Sequence, residues 1–140
     1  AFVQRLLKDI GPEGDILAYN APFEISRIKE LARDLPQHAD ALLALLPRVK
    51  DLHTPFKAGW YAVPGMNGRT SIKVVLPALV PELSYGALAV QEGDTASRLF
   101  LQLLHGRYPG DPAQLRADLL AYCGMDTLAM VKLLEVLERT

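Results

Sequence analysis

Two short polar motifs hold the side chains of this sequence that could do chemistry. Asn20 and Glu24 follow an apolar run over residues 15–19. Tyr122 and Asp126 are four residues apart within a long helical pattern, so they lie on one helix face about a turn apart. A carboxylate can bind a hard divalent cation, and a neighbouring phenol can orient an attacking water. These residue types therefore make metal-assisted hydrolysis one of the functions to consider.

Each motif also has a purely structural interpretation. Glu24 lies in the first turn of a predicted helix, where a carboxylate stabilises the helix dipole and can complete a capping box. Asn20 is itself a favourable N-cap residue. Tyr122 belongs to an apolar stripe, and Asp126 can cap a helix that restarts after Gly124. Spacing alone leaves both interpretations open.

The elements that must position these residues follow from apolar periodicity and from Pro and Gly breaks. The run at 15–19 is typical of a buried strand in a parallel sheet, at whose carboxyl end ligand sites gather. The segment 53–69 is rich in Pro, Gly and aromatic residues and predicts a long surface loop. Helices are predicted over residues 2–10, 22–35, about 38–46, 71–79, 95–105 and 112–140.

Five further residues could support such a site. Asp51 can assist it, or cap the turn that follows. Arg69 and Lys73 flank a predicted helix start and could hold a phosphate with the backbone N–H groups there, although solvated charges are the usual state of such residues. Trp60 and Tyr61 could stack on an unpaired base, or could pin the loop to the core.

Composition narrows the class of protein. The chain has 140 residues, of which 50% are hydrophobic, and this predicts a single domain over residues 1–140. With 15 basic and 16 acidic residues it has no overall basic field, so nucleic acid would have to bind a local patch. One cysteine excludes an internal disulfide, and no apolar run reaches the length of a membrane span. A cytoplasmic protein is expected.

Three segments carry a family resemblance: Tyr19–Glu24, Gly68–Pro77 and Tyr122–Met130. They resemble an uncharacterised bacterial domain family of the DnaQ-like 3′→5′ exonuclease superfamily, in the subtype whose third motif contains tyrosine. The resemblance covers nearly the whole chain. It implies an α/β, RNase-H-like fold that is helix-rich, with antiparallel strands at its N-terminal side, and a nuclease activity on DNA or RNA ends.

The resemblance also implies roles for individual residues. Glu24 and Asp126 would bind Mg²⁺ or Mn²⁺, Tyr122 would help activate the attacking water, and Asn20 would support the site. Two departures stand out: Glu24 replaces the usual aspartate, and the Asp-x-Glu of the first motif is absent and expected upstream of Ala1. The chain is therefore expected to be inactive by itself, with an exposed sheet edge able to pair with a second copy. The alternative is a non-catalytic domain that binds nucleic acid or protein.

Overall fold

The computed structural model describes all 140 residues, which form seven α-helices and two three-residue strands. The chain divides into two compact units, residues 1–62 and residues 63–140. None of the helices combines the length and apolar character that crossing a membrane requires.

The first unit contains both strands. Its elements in chain order are α1 Phe2–Ile10, β1 Ile16–Ala18, α2 Pro22–Asp34, α3 Ala39–Leu43, β2 Val49–Asp51 and α4 Thr54–Lys57. β1 and β2 pair in parallel, with Ala18 opposite Asp51. Parallel strands need a crossover connection, which α2 and α3 supply. The carboxyl ends of β1 and β2 therefore meet at one edge of the sheet.

The RNase-H-like fold assignment is wrong. The chain is 64% helical, its only sheet has two parallel strands, and it forms no antiparallel strand. The antiparallel strands were expected from the family resemblance alone. The sequence contains no β-hairpin pattern, which would consist of two segments of alternating apolar and polar residues joined by a tight turn. Helices α2 and α3 instead form the crossover connection between β1 and β2, so these two strands pair in parallel.

Side chains of α1, α2 and α3 form the core of the first unit. The buried members of this cluster are Val3, Ala32 and Leu42, together with Leu45, which follows α3. Pro22 begins α2, as predicted, because its fixed φ suits the first turn. The predicted long loop at 53–69 is partly wrong, because it contains α4 and a 3-10 turn at Pro64–Met66.

Arg48 fixes the connection that leads into β1. Its guanidinium donates hydrogen bonds to the backbone carbonyls of Gly11, Glu13 and Gly14, at 2.9, 2.7 and 2.7 Å. An arginine can satisfy three acceptors at once because its five N–H donors form a planar fork. The Arg48 side chain thus stabilises a connection that has no regular secondary structure.

The second unit is helical. Its helices are α5 Ile72–Leu79, α6 Gly93–Leu104 and α7 Pro112–Glu138, and both α5 and α6 pack against α7. The predicted cap of α7 is confirmed, since Asp111 Oδ1 accepts a hydrogen bond of 2.9 Å from the N–H of Ala113. α7 continues through Gly124 without a break, so Asp126 does not cap a second helix.

Candidate functional site

A carboxylate between two phenols lies in the second unit. We call Tyr85, Tyr122 and Asp126 the tyrosine–aspartate cluster. The Tyr85 hydroxyl donates a hydrogen bond of 2.5 Å to Asp126 Oδ1, and the ring centroids of Tyr85 and Tyr122 are 6.2 Å apart. α7 positions Tyr122 and Asp126 on one face, whereas Tyr85 comes from a 3-10 turn, Tyr85–Ala87, between α5 and α6.

The environment keeps both phenols of the cluster protonated. Burial raises the pKa of Tyr85 well above its ordinary value, and the hydrogen bond to Asp126 and its charge raise it further. Burial and the charge of Asp126 raise the pKa of Tyr122 to about 12. Both side chains are therefore neutral hydrogen-bond donors at physiological pH, and neither is a base.

An ion pair lies beside Tyr122. A Cβ atom at Gly93 would lie 3.5 Å from the Tyr122 hydroxyl, so this hydroxyl lies against the first residue of α6. Lys73 Nζ is 3.5 Å from Glu92 Oε1, and the charge of Glu92 contributes to the raised pKa of Tyr122. The charge of Lys73 is thus balanced by Glu92 within the unit.

In the first unit, Asp51 holds the turn from β1 into α2. Its carboxylate accepts hydrogen bonds from the N–H groups of Asn20 at 2.9 Å, Ala21 at 3.1 Å and His53 at 3.0 Å. Asn20 has a φ of 68°, in the left-handed region that asparagine adopts more readily than most residues. The Asp51 carboxylate therefore binds the backbone of the turn that follows β2, and it also binds the backbone of the residues that precede Glu24.

Glu24 lies in the first turn of α2, next to the carboxyl end of β1. The helix has Ala21 as its N-cap and makes no side-chain capping bond. One carboxylate oxygen of Glu24, Oε2, is shielded from solvent. Glu24 and Arg27 are the charged residues that line an otherwise apolar pocket of about 270 Å³ in this unit. A carboxylate at this position is held inward and does not project freely into solvent.

The aromatic residues of the predicted nucleic-acid interface differ in their surroundings. The Trp60 side chain is exposed, with 76% of the residue's surface accessible, although its backbone N–H donates to the carbonyl of Pro55. Tyr61 contacts the buried Phe56 edge-on, at 5.8 Å between ring centroids. Trp60 is therefore available to a ligand, whereas Tyr61 packs on the first unit. Arg69 is exposed at the turn before α5.

Sequence reasoning missed Tyr85. It lies between Pro81 and Gly86, in a segment that the sequence marks only as a break between helices. Its partner Asp126 is 41 positions away in sequence, so no spacing rule relates the two. A lone aromatic residue in a Pro- and Gly-rich connection was the only available signal.

The donor chemistry of the two motifs suits Mg²⁺ or Mn²⁺, because hard cations take carboxylate oxygens. Each unit supplies one carboxylate of the predicted pair, Glu24 in the first and Asp126 in the second. Within neither unit do three His, Cys, Asp or Glu side chains form a group that could hold a metal ion. The ligands within each unit are thus of the right type but do not form a complete site.

One family model matches the chain. It is described as a domain of unknown function, DUF2779, and it matches residues 1–71, which include Asn20, Glu24 and Asp51 but not the tyrosine–aspartate cluster. Searches of curated proteins and of solved structures found no significant match.

Proposed function

This chain belongs to the DUF2779 family of domains of unknown function, and we propose that it acts in metal-dependent hydrolysis of nucleic-acid phosphodiesters. The proposed reaction is removal of nucleotides from a 3′ end, as in the DnaQ-like exonucleases that both motifs resemble. The observation that carries the proposal is the Asp126 carboxylate held beside two neutral phenols, Tyr85 and Tyr122.

From the motif resemblance, Glu24 in the first unit and Asp126 in the second are each proposed as a metal-binding carboxylate. When bound, Mg²⁺ or Mn²⁺ would polarise the scissile phosphate and neutralise the charge that develops on it. Asn20 and Asp51 act indirectly, because the Asp51 carboxylate holds the backbone that leads into the first turn of α2.

Tyr122 is proposed to orient the attacking water. With a pKa raised to about 12, its phenol stays protonated near neutral pH. It can therefore exchange hydrogen bonds with a water, but it does not remove a proton from it. Under this proposal Tyr122 acts on the water only through hydrogen bonding, so loss of the hydroxyl slows the reaction without abolishing it.

The test is digestion of end-labelled single-stranded DNA and RNA by the full-length gene product with Mn²⁺. Glu24→Gln and Asp126→Asn are expected to lose activity, because each removes one proposed ligand charge. Two matched controls lie on the same helices: Glu30→Gln on α2, whose side chain pairs with Arg27, and Asp118→Asn on α7, which pairs with Gln114. Equal activity in all four variants would contradict the proposal.

A second candidate function is nucleic-acid binding without catalysis, and the exposed Trp60 favours it. Base stacking on an aromatic side chain is tolerant of sequence and needs no metal. If the wild-type protein retards single-stranded DNA in a gel, but cleaves neither DNA nor RNA with Mn²⁺ or Mg²⁺, this second function replaces the first.

A further inference from the structure

We propose that the outer edge of β1 binds a second copy of this chain, and that the two β1 strands pair in antiparallel orientation. The inference is independent of the proposed function. β1 has one hydrogen-bonded neighbour, β2, so its other edge carries no paired strand. A strand edge of this kind is a ready template for pairing with another chain, because its N–H and C=O groups lack strand partners.

The middle residue of β1 presents its backbone to this outer edge. The carbonyl of Ala18 accepts a hydrogen bond of 2.8 Å from the N–H of Leu52, so the backbone groups of Ala18 face β2. Backbone groups of successive strand residues point to alternate sides of the strand. The N–H and C=O of Leu17 therefore point away from β2, toward the position that a further strand would take.

The geometry of Leu17 suits pairing of β1 with itself. In an antiparallel pair, two opposed residues can exchange both of their N–H···O=C bonds, so Leu17 can bond its counterpart in the second copy twice. One patch then serves both copies, as the two-fold symmetry of most homodimers requires. In this register Ile16 lies opposite Ala18, and Asp15 lies opposite Tyr19. Like charges directly opposite each other would destabilise the pair, and this register contains none.

An apolar pocket of about 270 Å³ borders the same edge. All three residues of β1 line this pocket, together with apolar side chains of α1 and α2. Phe2 of α1 also lines it, although 67% of this residue is exposed. Because burial of apolar surface is the main driving force for association, a strand that pairs with β1 beside this pocket gains more than its backbone hydrogen bonds.

The sequences of the two strands distinguish the two edges of the sheet. β2 has the exposed Lys50 at its centre, and lysine is a common protection of edge strands against pairing. β1 consists of three apolar residues and contains neither a charge nor a proline. The chain has a net charge of −1, so two copies repel each other only weakly. The edge of β1 is therefore the one that accepts the second copy.

The experiment measures the mass of the full-length gene product by analytical ultracentrifugation over a wide range of concentration, together with amide hydrogen exchange in residues 15–19. We expect a reversible dimer in which these amides become more protected as the concentration rises. Phe2→Glu should raise the dimer dissociation constant by about tenfold or more, because it places a charge beside apolar surface that the second copy covers.

Phe2→Glu should still fold, because Phe2 is exposed and lies in the first turn of α1, where a carboxylate suits the helix dipole. Phe100→Glu is the matched control, since Phe100 is an exposed phenylalanine on α6 in the second unit. It should leave the dimer dissociation constant unchanged.

A monomer at every concentration would overturn the proposal. A dimer that Phe100→Glu weakens as much as Phe2→Glu, or one in which residues 15–19 gain no protection, would also overturn it. Strong protection of residues 15–19 in a monomer would mean that another segment of the same polypeptide, and not a second copy, covers the edge. These outcomes leave the proposed function standing, because that function is tested by cleavage.

Discussion

Asp51 Oδ1 accepts a hydrogen bond of 2.9 Å from the backbone N–H of Asn20, across the carboxyl end of the two-stranded sheet. The same carboxylate reaches the N–H of Ala21 through Oδ2. Since Ala21 is the N-cap of α2, this one side chain sets the angle at which the chain leaves β1. The position of Glu24 thus depends on a residue from the other strand.

We expect Asp51→Asn to lower the free energy of unfolding. The amide has one acceptor oxygen where the carboxylate has two, so an NH₂ group would face a backbone N–H. Loss of one such bond at a partly buried site costs about 1–3 kcal/mol. Urea denaturation measures the change, with Asp40→Asn, an exposed residue of α3, as the control. Equal stability of the two variants would contradict the holding role of Asp51.

Arg48→Lys should destabilise the first unit although it conserves the charge. Lysine presents a point charge on a flexible chain and cannot reach three carbonyls in one plane. We expect a loss of about 1–3 kcal/mol, together with faster amide exchange in residues 11–16. Arg33→Lys is the control, because its exposed pair with Asp34 contributes little. A loss in Arg48→Lys no larger than in Arg33→Lys would argue against the three hydrogen bonds.

Gly124→Ala should stabilise α7. Gly124 lies inside a continuous helix, and a Cβ atom built there has nothing within 4 Å. Replacing a helical glycine with alanine is worth about 1 kcal/mol. Thermal unfolding measures the gain, and a lower midpoint would show that the residue needs the freedom of glycine.

Trp60→Ala should weaken single-stranded DNA binding by about 1–3 kcal/mol for each stacked base that is lost. Because the Trp60 side chain is exposed, stability should hardly change. Phe100→Ala is the matched control, because it also removes an exposed aromatic side chain. Phe100 is 52% exposed. Fluorescence anisotropy with a labelled oligonucleotide measures binding, and an equal loss in both variants would mean that Trp60 has no specific role.

Stability should fall in alkaline solution. Burial raises the pKa of Tyr19, Tyr85 and Tyr122 above the ordinary phenol value of about 10. Between that value and the raised pKa, which for Tyr122 is about 12, the unfolded chain has released protons that the folded chain keeps. The unfolded state then binds fewer protons, so the free energy of unfolding decreases as pH rises.

This stabilisation is complete below about pH 10 and is lost as pH rises through the folded-state pKa values. Urea midpoints measured between about pH 9 and about pH 11 test it. Tyr85→Phe and Tyr122→Phe should each make the decrease shallower. A pH dependence identical to that of the wild type would show that the phenols ionise equally in the folded and unfolded chains.

The sequence by itself determined the main helices and the i, i+4 relation of Tyr122 and Asp126. The predicted helix over residues 2–10 is confirmed as α1, and the start of α7 at Pro112 is confirmed with its Asp111 cap. Helical period, proline at the first turn and N-caps are local signals, which adjacent residues set without distant partners. The pairing of Tyr122 with Asp126 follows from the same helical geometry.

Only the tertiary structure decided which distant residues meet. β2 is three residues long, and it forms a strand because it pairs with β1. In this pairing Val49 lies opposite Ile16, which is 33 positions earlier in the sequence. Tyr85 meets Asp126 because α5, its following turn and α7 pack together. Strand pairing and side-chain contacts of this kind are set by packing between segments, which propensity and spacing along one segment do not encode.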